Sequence, residues 1–526
     1  MSGRHTQEAE FDVIIIGGGI TGVGVARDCA LRGIKAVLLE RFDLTAGATG
    51  RNHGLLHSGA RYAVTDPESA AECIRENTIL RRVAAHCVEP VDGLFITLPE
   101  DDLSYQNTFI KACRRSGIKT EALDPGEALR LEPSVNPALV GAVRVPDASV
   151  DPFLLTTANA FDATRHGASI RCYTEVESLI VGGGRVSGVR YLDKNTGERG
   201  ELRAPVVLNA AGIWGQKIAS EAGVGITMYP AKGSLLIFGH RVNKMVINRC
   251  RKPSNADILV PGGVVSVLGT TSSRVPLEEC DDIRVTPGEV DLLLSEGCKL
   301  SPKLAQTRLL RAYGGVRPLV ADDADASGRS ISRGIVLLDH AERDGLEGFI
   351  TITGGKLTCY RLMAEMATDL ICRKLNKRAR CQTAKVPLPG SENPDGHFHV
   401  KGMGPKAAES RHGRNVSRMD FSAKPEVVCR CEHVTRAEIE YAVRSLGVNN
   451  LVSLRRRTRI GMGSCQGATC MKAVAHILAE VLGCPEKEND FIREYTVERW
   501  KGVVPVAWGP TLREMEYRRD LYKDEV

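Results

Sequence analysis

The stretch Phe11-Asp12-Val13-Ile14-Ile15-Ile16-Gly17-Gly18-Gly19-Ile20-Thr21-Gly22 decides the fold of the first part of the chain. Its apolar run is typical of a strand buried on both faces, and a G-x-G-x-x-G pattern follows at once. Residues 23–31 then predict a helix that stops at Gly33, and residues 35–39 predict a second strand ending on Glu40. Together these parts make a complete βαβ unit.

Such a unit predicts a dinucleotide site. Its glycines let the backbone approach a pyrophosphate at the helix N-terminus, and the acid at position 40 accepts ribose hydroxyls. Because FAD and NAD share this unit, the choice between them rests on later segments. These are the strands around Gly182-Gly183-Gly184, the stretch Asn209-Ala210-Ala211-Gly212-Ile213-Trp214, and Gly354-Gly355-Lys356-Leu357-Thr358 before an amphipathic helix. Taken alone, Ala210-Ala211-Gly212 in the second stretch is better explained as an ordinary strand-to-helix turn.

Length and charge set further bounds. Since single cores stop growing at about 250–300 residues, a chain of 526 residues is expected to form two or three domains. The net charge of +6, from 70 basic and 64 acidic residues, is too diffuse to predict a nucleic-acid partner but suits a small anionic substrate. With no long apolar run and no signal-peptide pattern, we expect a cytoplasmic protein, and peripheral membrane attachment through a partner stays open.

The segments named above resemble the flavoprotein family that includes D-amino acid oxidase and glycerol-3-phosphate dehydrogenase, over about residues 11–375. The resemblance implies an α/β fold, with a Rossmann-like FAD-binding domain and an interleaved α+β substrate domain. It also implies that FAD is bound by Gly17, Gly18, Gly19, Gly22, Glu40, Arg41, Thr45, Thr49, Arg51, Gly54, Leu55, Val176, Ala211, Gly212, Trp214, Gly355, Lys356, Leu357 and Thr358.

Four separated segments carry a narrower resemblance, to glycerol-3-phosphate dehydrogenases of the FAD type. They are residues 45–62, Gly315-Val316-Arg317-Pro318-Leu319, Ser332-Arg333 and residues 354–361. The resemblance implies that sn-glycerol 3-phosphate is oxidised to dihydroxyacetone phosphate. Cations gathered at the substrate would hold its phosphate by charge-assisted hydrogen bonds, and they are Arg61, Arg317, Arg333 and Lys356. A related amine or amino acid dehydrogenase is the alternative. Residues 48–53 depart from the serine-rich stretch common in aerobic relatives.

Oxidation of a secondary alcohol requires a base beside the hydroxyl group. His57 is the candidate because imidazole titrates near neutrality and Leu55-Leu56 precede it. A lone histidine is more often a packed side chain, so Lys356 or a water molecule remains a rival, and Arg317 completes the expected catalytic set.

The cysteines fall into two groups. Eleven of the sixteen precede residue 400 without regular spacing, as buried reduced thiols do. Later, Cys429-Arg430-Cys431 and Cys465-Gln466-Gly467-Ala468-Thr469-Cys470 form two tight pairs. Four thiolates suit either zinc or the two irons of a [2Fe-2S] cluster. The C-x-C and G-x-C-Q-G-x-x-C spacing resembles the bacterioferritin-associated ferredoxin type of [2Fe-2S] domain, which implies Cys429, Cys431, Cys465 and Cys470 as ligands.

Helices are expected on either side of the second cysteine pair, over residues 435–446 and 471–482, with Glu438 and Glu440 on the polar side of the first. The run Arg455-Arg456-Arg457-Thr458-Arg459 would offset the charge of an anionic cluster and raise its potential. A solvated basic face, or a docking patch for an acidic partner, explains the same run equally well.

A flavin accepts two electrons as hydride and a [2Fe-2S] cluster passes one at a time, so their union in one chain predicts an electron relay. Resemblance to family members with a cysteine-bearing extension implies a membrane quinone as acceptor, a second flavoprotein subunit, and a membrane-anchoring iron-sulfur subunit. A regulatory or assembly role of the cluster domain, without electron transfer, stays open.

The expected organisation follows from these motifs. Residues 11–388 form the FAD-dependent domain, with FAD-binding segments at about 11–80, 150–225 and 330–375 and the substrate domain between them. A linker rich in Gly, Pro and Ser covers 389–425, and a small helical [2Fe-2S] domain covers 426–484. The tail at 485–526 carries Trp500 and Trp508 and is expected to pack against the body or a partner.

Overall fold

A computed structural model describes residues 10–320, 334–392, 405–422 and 426–508, together with positions 512, 513, 516, 517 and 520. Ser332 and Arg333 lie outside the described residues.

Strands make up five sheets, and they are β1 (Val13–Ile16), β2 (Ala36–Leu39), β3 (Leu55–Leu56), β4 (Val88–Glu89), β5 (Gly93–Thr97), β6 (Glu121–Leu123), β7 (Gly141–Val145), β8 (Ala148–Val150), β9 (Ser169–Arg171), β10 (Thr174–Gly182), β11 (Arg185–Asp193), β12 (Arg199–Arg203), β13 (Val206–Asn209), β14 (Met228–Phe238), β15 (Val246–Arg249), β16 (Ile258–Gly262), β17 (Val265–Gly269), β18 (Ser273–Arg274), β19 (Leu309–Val320), β20 (Ile335–Asp339), β21 (Phe349–Gly354), β22 (Val427–Cys429) and β23 (Val434–Thr435).

The α-helices are α1 (Ile20–Leu31), α2 (Pro67–Val83), α3 (Ser104–Arg115), α4 (Pro125–Leu131), α5 (Pro152–Arg165), α6 (Gly215–Glu221), α7 (Pro287–Leu300), α8 (His340–Asp344), α9 (Tyr360–Lys374), α10 (Pro405–His412), α11 (Arg436–Leu446), α12 (Leu451–Thr458), α13 (Met471–Leu482) and α14 (Glu488–Val503).

The nucleotide-binding sheet has the strand order β20-β21-β13-β1-β2-β9, and every pair except β20–β21 is parallel. The two central strands are fully buried because β1 reads Val-Ile-Ile-Ile and β2 reads Ala-Val-Leu-Leu. Helices α1, α5 and α9 pack together on one face of this sheet. The predicted βαβ unit is confirmed, and β13 and β21 join its sheet. The strands around Gly182-Gly183-Gly184, β10 and β11, form a separate sheet with β12 instead.

A second, nine-stranded mixed sheet builds the substrate domain. Its long strands β14 and β19 run antiparallel with a continuous register from Met228↔Val320 to Ile237↔Arg311, and the register shifts by one residue at Phe238↔Leu309. Strand β19 packs against β21 of the nucleotide-binding sheet, so the substrate domain lies against the edge of that sheet. The interleaved α+β domain is thereby confirmed.

The cysteine-bearing segment folds around a core of its own, to which α11, α12 and α13 contribute. Helix α13 has the predicted bounds. One expectation is wrong: Glu438 does not lie on a polar face but is fully buried, where it pairs with Arg411 at 2.5 Å and with His412 at 2.9 Å. Sequence periodicity alone could not reveal this, because the partners come from α10.

Part of the predicted linker is packed rather than loose. Helix α10 lies against α11 and the strand β23, and Ala407 and Ala408 are completely buried. The tail also packs on the body, as expected: α14 contacts α13 and β19, and Lys501 forms an ion pair with Asp282 at 3.2 Å. Trp508 is an exception, with 80% of its surface exposed. No helix in the described ranges is long and apolar enough to cross a membrane.

Candidate active site

A cavity of about 1320 Å³ extends along the carboxyl edge of the nucleotide-binding sheet and beneath β14 and β19. This edge is where ligands bind in folds of this type. Most of the predicted cofactor residues line the cavity: Gly17, Gly19, Glu40, Arg41, Thr49, Arg51, Leu55, Val176, Ala211, Gly212, Trp214, Gly355, Lys356 and Leu357. The others lie behind its wall, and they are Gly18, Gly22, Thr45, Gly54 and Thr358.

Two positions admit only glycine: Gly17 in the turn between β1 and α1, and Gly22 in the first turn of α1. Gly17 has φ +114°, and a Cβ atom there would lie 2.6 Å from the carbonyl oxygen of Ala210. A Cβ atom on Gly22 would lie 2.0 Å from the carbonyl oxygen of Gly17. The chain therefore passes close to the first turn of α1, where unpaired N–H groups favour a pyrophosphate.

Glu40 is held in place for the ribose. Its carboxylate accepts hydrogen bonds from the backbone N–H groups of Gly18, at 2.6 Å, and Phe42, at 2.8 Å. Burial raises the pKa of Glu40, and the two N–H groups act in the opposite direction. With its orientation fixed in this way, the carboxylate presents its remaining lone pairs to ribose hydroxyls.

Trp214 supplies independent evidence for a ligand. Its indole Nε1 is buried and has no hydrogen-bond partner within the described residues. The guanidinium group of Arg41 lies 4.5 Å from the centre of the Trp214 ring. Since a buried donor without an acceptor is costly, the site fits a bound dinucleotide that brings acceptors.

At the other end of the cavity, the predicted residues His57 and Lys356 lie on either side of Tyr62. The ring centres of His57 and Tyr62 are 5.3 Å apart, and Lys356 Nζ lies 5.0 Å from the Tyr62 ring centre. His57 is 9% exposed, and its backbone N–H donates to Thr358 Oγ1 at 3.1 Å. Thr358 thus joins β3 to the turn before α9, whose positive N-terminal end favours negative charge in the cavity.

Arg61 is anchored on one side and open on the other. Its Nη2 donates to Asp257 Oδ2 at 3.3 Å and to the Ser254 carbonyl at 3.4 Å. Its Nη1 is buried without a hydrogen-bond partner in the part of the chain that the structure describes. Because Asp257 itself is only 1% exposed, it fixes the guanidinium and leaves a donor for a ligand.

Arg317 reaches the cavity from β19. Its guanidinium donates to Thr270 Oγ1, to the Thr271 carbonyl at 3.2 Å and to the Lys232 carbonyl at 3.3 Å. The backbone N–H of Ala256 donates to the Thr270 carbonyl at 3.3 Å. This bond connects the loop that holds the Arg317 guanidinium to the turn that holds Arg61. Both arginines therefore belong to one arrangement, with Lys356 across the cavity.

Sequence reasoning missed several site residues. Asp257 and Thr270 position the two arginines, and no local motif marks either of them. More unexpectedly, the cluster domain and the tail line the same cavity through Asn450, Val452, Arg456, Glu494, Glu498 and Lys501. Their contribution depends on how two domains dock, which no local pattern in the sequence records.

The four predicted ligand cysteines come together in the cluster domain. The thiol of Cys470 lies beside those of Cys429 and Cys465, and the thiol of Cys465 lies beside that of Cys431. Cys429 and Cys470 are buried, whereas Cys431 and Cys465 are partly exposed. Within the described ranges no group of three or more His, Cys, Asp or Glu side chains is arranged to hold a single metal ion. The all-sulfur donor set suits a cluster whose two irons each take two thiolates.

The arginine run beside these cysteines joins the two domains, and we call this junction the arginine seam: Arg456, Arg457 and Arg459 with Asp43, Asp151 and Glu432. Asp43, just after β2, pairs with Arg456 at 3.1 Å and with Arg457 at 2.5 Å. Arg459 pairs with Asp151, the N-cap of α5, and with Glu432 at 3.0 Å. The expected solvated or docking face is therefore wrong for these three arginines.

Comparisons with known proteins agree with this geometry. The model of the FAD dependent oxidoreductase family matches residues 12–361, and the BFD-like [2Fe-2S] binding domain matches residues 427–480. The A subunit of the anaerobic glycerol-3-phosphate dehydrogenase of Escherichia coli strain K12 is 58% identical, covering 99% of this chain and 98% of the relative. The A1 subunit of the Haloferax volcanii enzyme of the same name is 42% identical, covering 97% and 89%.

Among solved structures, glycerol-3-phosphate dehydrogenase from Bacillus halodurans in complex with FAD superposes with a TM-score of 0.71 at 22% identity, covering 95% of this chain and 97% of that one. At this identity the likeness shows the fold alone. The two family models assign FAD and a [2Fe-2S] cluster as cofactors. The chain therefore belongs to the FAD-dependent oxidoreductases and, among them, to the family of anaerobic glycerol-3-phosphate dehydrogenase A subunits.

Proposed function

We propose that this chain oxidises sn-glycerol 3-phosphate to dihydroxyacetone phosphate and passes the electrons through its [2Fe-2S] cluster to partner subunits and a membrane quinone. The observation that carries the proposal is the cationic end of the cavity. There Arg61, Arg317 and Lys356 surround one space, and Arg61 keeps a buried donor that the described chain leaves unused. The relatives are named as one subunit of an enzyme, which supports assembly into a larger complex.

A phosphate with a charge near −2 fits this space. Planar guanidinium groups bind phosphate in a bidentate manner, and Lys356 adds a point charge. Asp257 and Thr270 hold the two arginines in position before the substrate arrives, so little side-chain freedom is lost on binding. An amino acid offers only one carboxylate, for which three cations are an excess, and this disfavours the amino acid dehydrogenase alternative.

The chemical step needs a hydride acceptor and a base. Bound FAD supplies the hydride acceptor at the flavin ring. His57, beside Tyr62 and Lys356, is the group we propose to take the hydroxyl proton through its imidazole ring. The N-terminal end of α9 favours the negative charge that develops on that side of the cavity.

The proposed partners are a membrane-anchoring iron-sulfur subunit, which would place the complex at the cytoplasmic face of the membrane, and a second flavoprotein subunit. The partly exposed side chains of Cys431 and Cys465 support an exit for electrons on that side of the cluster domain.

Replacement of Cys465 with serine distinguishes an electron-relay role of the cluster domain from an assembly role. The relay predicts flavin reduction by substrate without reduction of the acceptor, whereas a pure assembly role predicts no such block.

The substrate is tested by anaerobic mixing of the purified full-length protein with glycerol 3-phosphate, glycerol or glycine. We expect bleaching of the flavin absorbance and an electron paramagnetic resonance signal of the reduced cluster with glycerol 3-phosphate only.

Arg61→Gln should raise KM about 10- to 100-fold with a smaller change in kcat, because a charged hydrogen bond contributes about 1.5–3 kcal/mol. Arg444→Gln, on the exposed face of α11, is the control. Reduction by glycine instead would refute the phosphate assignment.

A further inference from the structure

Two arginines, Arg455 buried and Arg311 partly buried, have no counter-ion among the residues that the structure describes. The guanidinium groups of Arg311, on β19, and Arg455, on α12, form no hydrogen bond or ion pair with other described residues, and the Nε atom of each is buried. Arg455 as a whole is 8% exposed. This is unusual, because a buried charge is costly unless an opposite charge or hydrogen-bond acceptors compensate for it.

The two cations lie near each other. Burial and the neighbouring charge of Arg311 lower the pKa of Arg455 to about 10. Burial also lowers the pKa of Arg311. The nearby carboxylate of Glu498 does not neutralise them, since it faces Lys501 at 3.5 Å. The remaining arginines of the run are all compensated by acids of the arginine seam.

Tyr495 places this pair beside the cysteines. Its hydroxyl donates to the Gln466 carbonyl at 3.1 Å and to the Gly461 carbonyl at 3.4 Å, within the loops that carry the ligands. The pKa of Tyr495 is raised by burial, lowered by Arg499, Arg455 and Arg311, and raised again by Cys470. The N–H of Gly461 in turn donates to the Cys429 sulfur. Tyr495 on α14 therefore touches the ligand loops, and its helix packs against both α12, which carries Arg455, and β19, which carries Arg311.

We infer that the missing counter-ion of Arg311 and Arg455 is the thiolate-bound [2Fe-2S] cluster itself, and that these two arginines raise its reduction potential. Reduction adds one electron, and hence one negative charge, without uptake of a proton by either guanidinium. A buried positive charge favours that added charge more strongly than it would in water. Arg311 comes from β19 of the substrate domain, so docking of the cluster domain on that part of the chain completes the electrostatic environment of the cluster.

The inference rests on the electron-relay role proposed above and makes these residues positioning groups rather than catalytic ones. The strand that carries Arg311 also reaches the cavity, because Gly315 on β19 packs against Arg51 in the cavity wall. Electrons that leave the flavin thus approach a cluster whose surroundings favour the reduced state.

The test is an equilibrium redox titration of the full-length holoprotein with a chemical reductant and mediators, followed by electron paramagnetic resonance. Arg455→Gln and Arg311→Gln should each make the cluster about tenfold harder to reduce, a shift of about 59 mV for a one-electron couple. Arg455→Lys keeps the charge and should stay close to wild type. Arg444→Gln removes an exposed cation of the same domain and should have no effect.

Because no substrate enters this titration, an error in the proposed substrate would leave its result unchanged. Wild-type potentials in Arg455→Gln and Arg311→Gln that retain full iron content would overturn the inference. Should Arg455→Gln lose iron, Arg455→Lys and Arg311→Gln decide the question. A wild-type potential that depends on inorganic phosphate at constant ionic strength would show that a free anion occupies the pair, and would also overturn it.

Discussion

The glycine turn after β1 and the arginine seam both hold charged or dipolar groups against a neighbour, but they do so by different means. At the turn, backbone N–H groups face the ligand, and the side chains are absent because Gly17 and Gly22 leave no room for one. At the seam, long side chains from α12 and its C-terminus reach acids of another domain. Backbone recognition is local in sequence, whereas side-chain recognition depends on the docked structure.

Breaking the seam should have the largest effect on stability. Arg459→Met leaves Asp151 and Glu432 buried without their partner, and such a loss costs about 3–5 kcal/mol. We expect the cluster domain to become susceptible to limited proteolysis at its boundary while the protein still binds FAD through the glycine turn. Arg493→Gln, an exposed pair on α14, serves as the control. Loss of FAD from Arg459→Met in parallel with undocking would mean that the two regions do not act separately.

A substitution in the glycine region should weaken FAD binding and leave the cluster domain unchanged. Gly22→Ala places a methyl group 2.0 Å from the Gly17 carbonyl oxygen, and an overpacked site of this kind costs about 1–3 kcal/mol. We expect FAD affinity to fall by about 10- to 100-fold with iron content unchanged. Flavin content and the dissociation constant of FAD measure the effect. Gly288→Ala, where no atom lies within 4 Å, should bind FAD normally.

A smaller effect, on the pH dependence of stability, is expected at His86, which lies outside the arginine seam. Burial, with the charge of His412, lowers the pKa of His86 to about 3 from an ordinary value of 6.5. Below about pH 6.5 the unfolded chain therefore takes up a proton that the folded chain refuses, and stability falls as the pH decreases. The loss is about 1.4 kcal/mol per pH unit and ends near pH 3. By contrast, burial raises the pKa of Glu438, but Arg411 and His412 outweigh burial and hold that pKa at about 2. The contribution of Glu438 to stability therefore does not change with pH above about pH 4.5.

Urea unfolding of wild type and His86→Gln at pH 7.0 and 5.5 measures the effect. The wild type should lose about 1.3 kcal/mol more than the variant over this interval. Equal losses in the two proteins would show that His86 accepts a proton in the folded state.

The same contrast explains what the sequence could predict. The βαβ unit and the four-cysteine site were predictable, because glycine and cysteine spacing reports local geometry directly, whereas the choice of FAD over NAD required three later segments. Arg61, Arg317 and Lys356 required a resemblance, since three separated segments supply them. The assignments of Asp43, Asp257 and Arg311 were out of reach, because each owes its role to a partner far away in the chain. The roles of the predicted ligand and base residues stay predictions until the cofactors are bound.

One feature of the cavity affects how the protein is made. Its wall contains residues from Ile16 to Lys501, so the last part arrives only when α14 has been translated. A nascent chain with a folded nucleotide-binding sheet still presents an open pocket to the cell. Completion of the cavity wall is thus a late event in biosynthesis, after docking of the segment that also carries the cysteines.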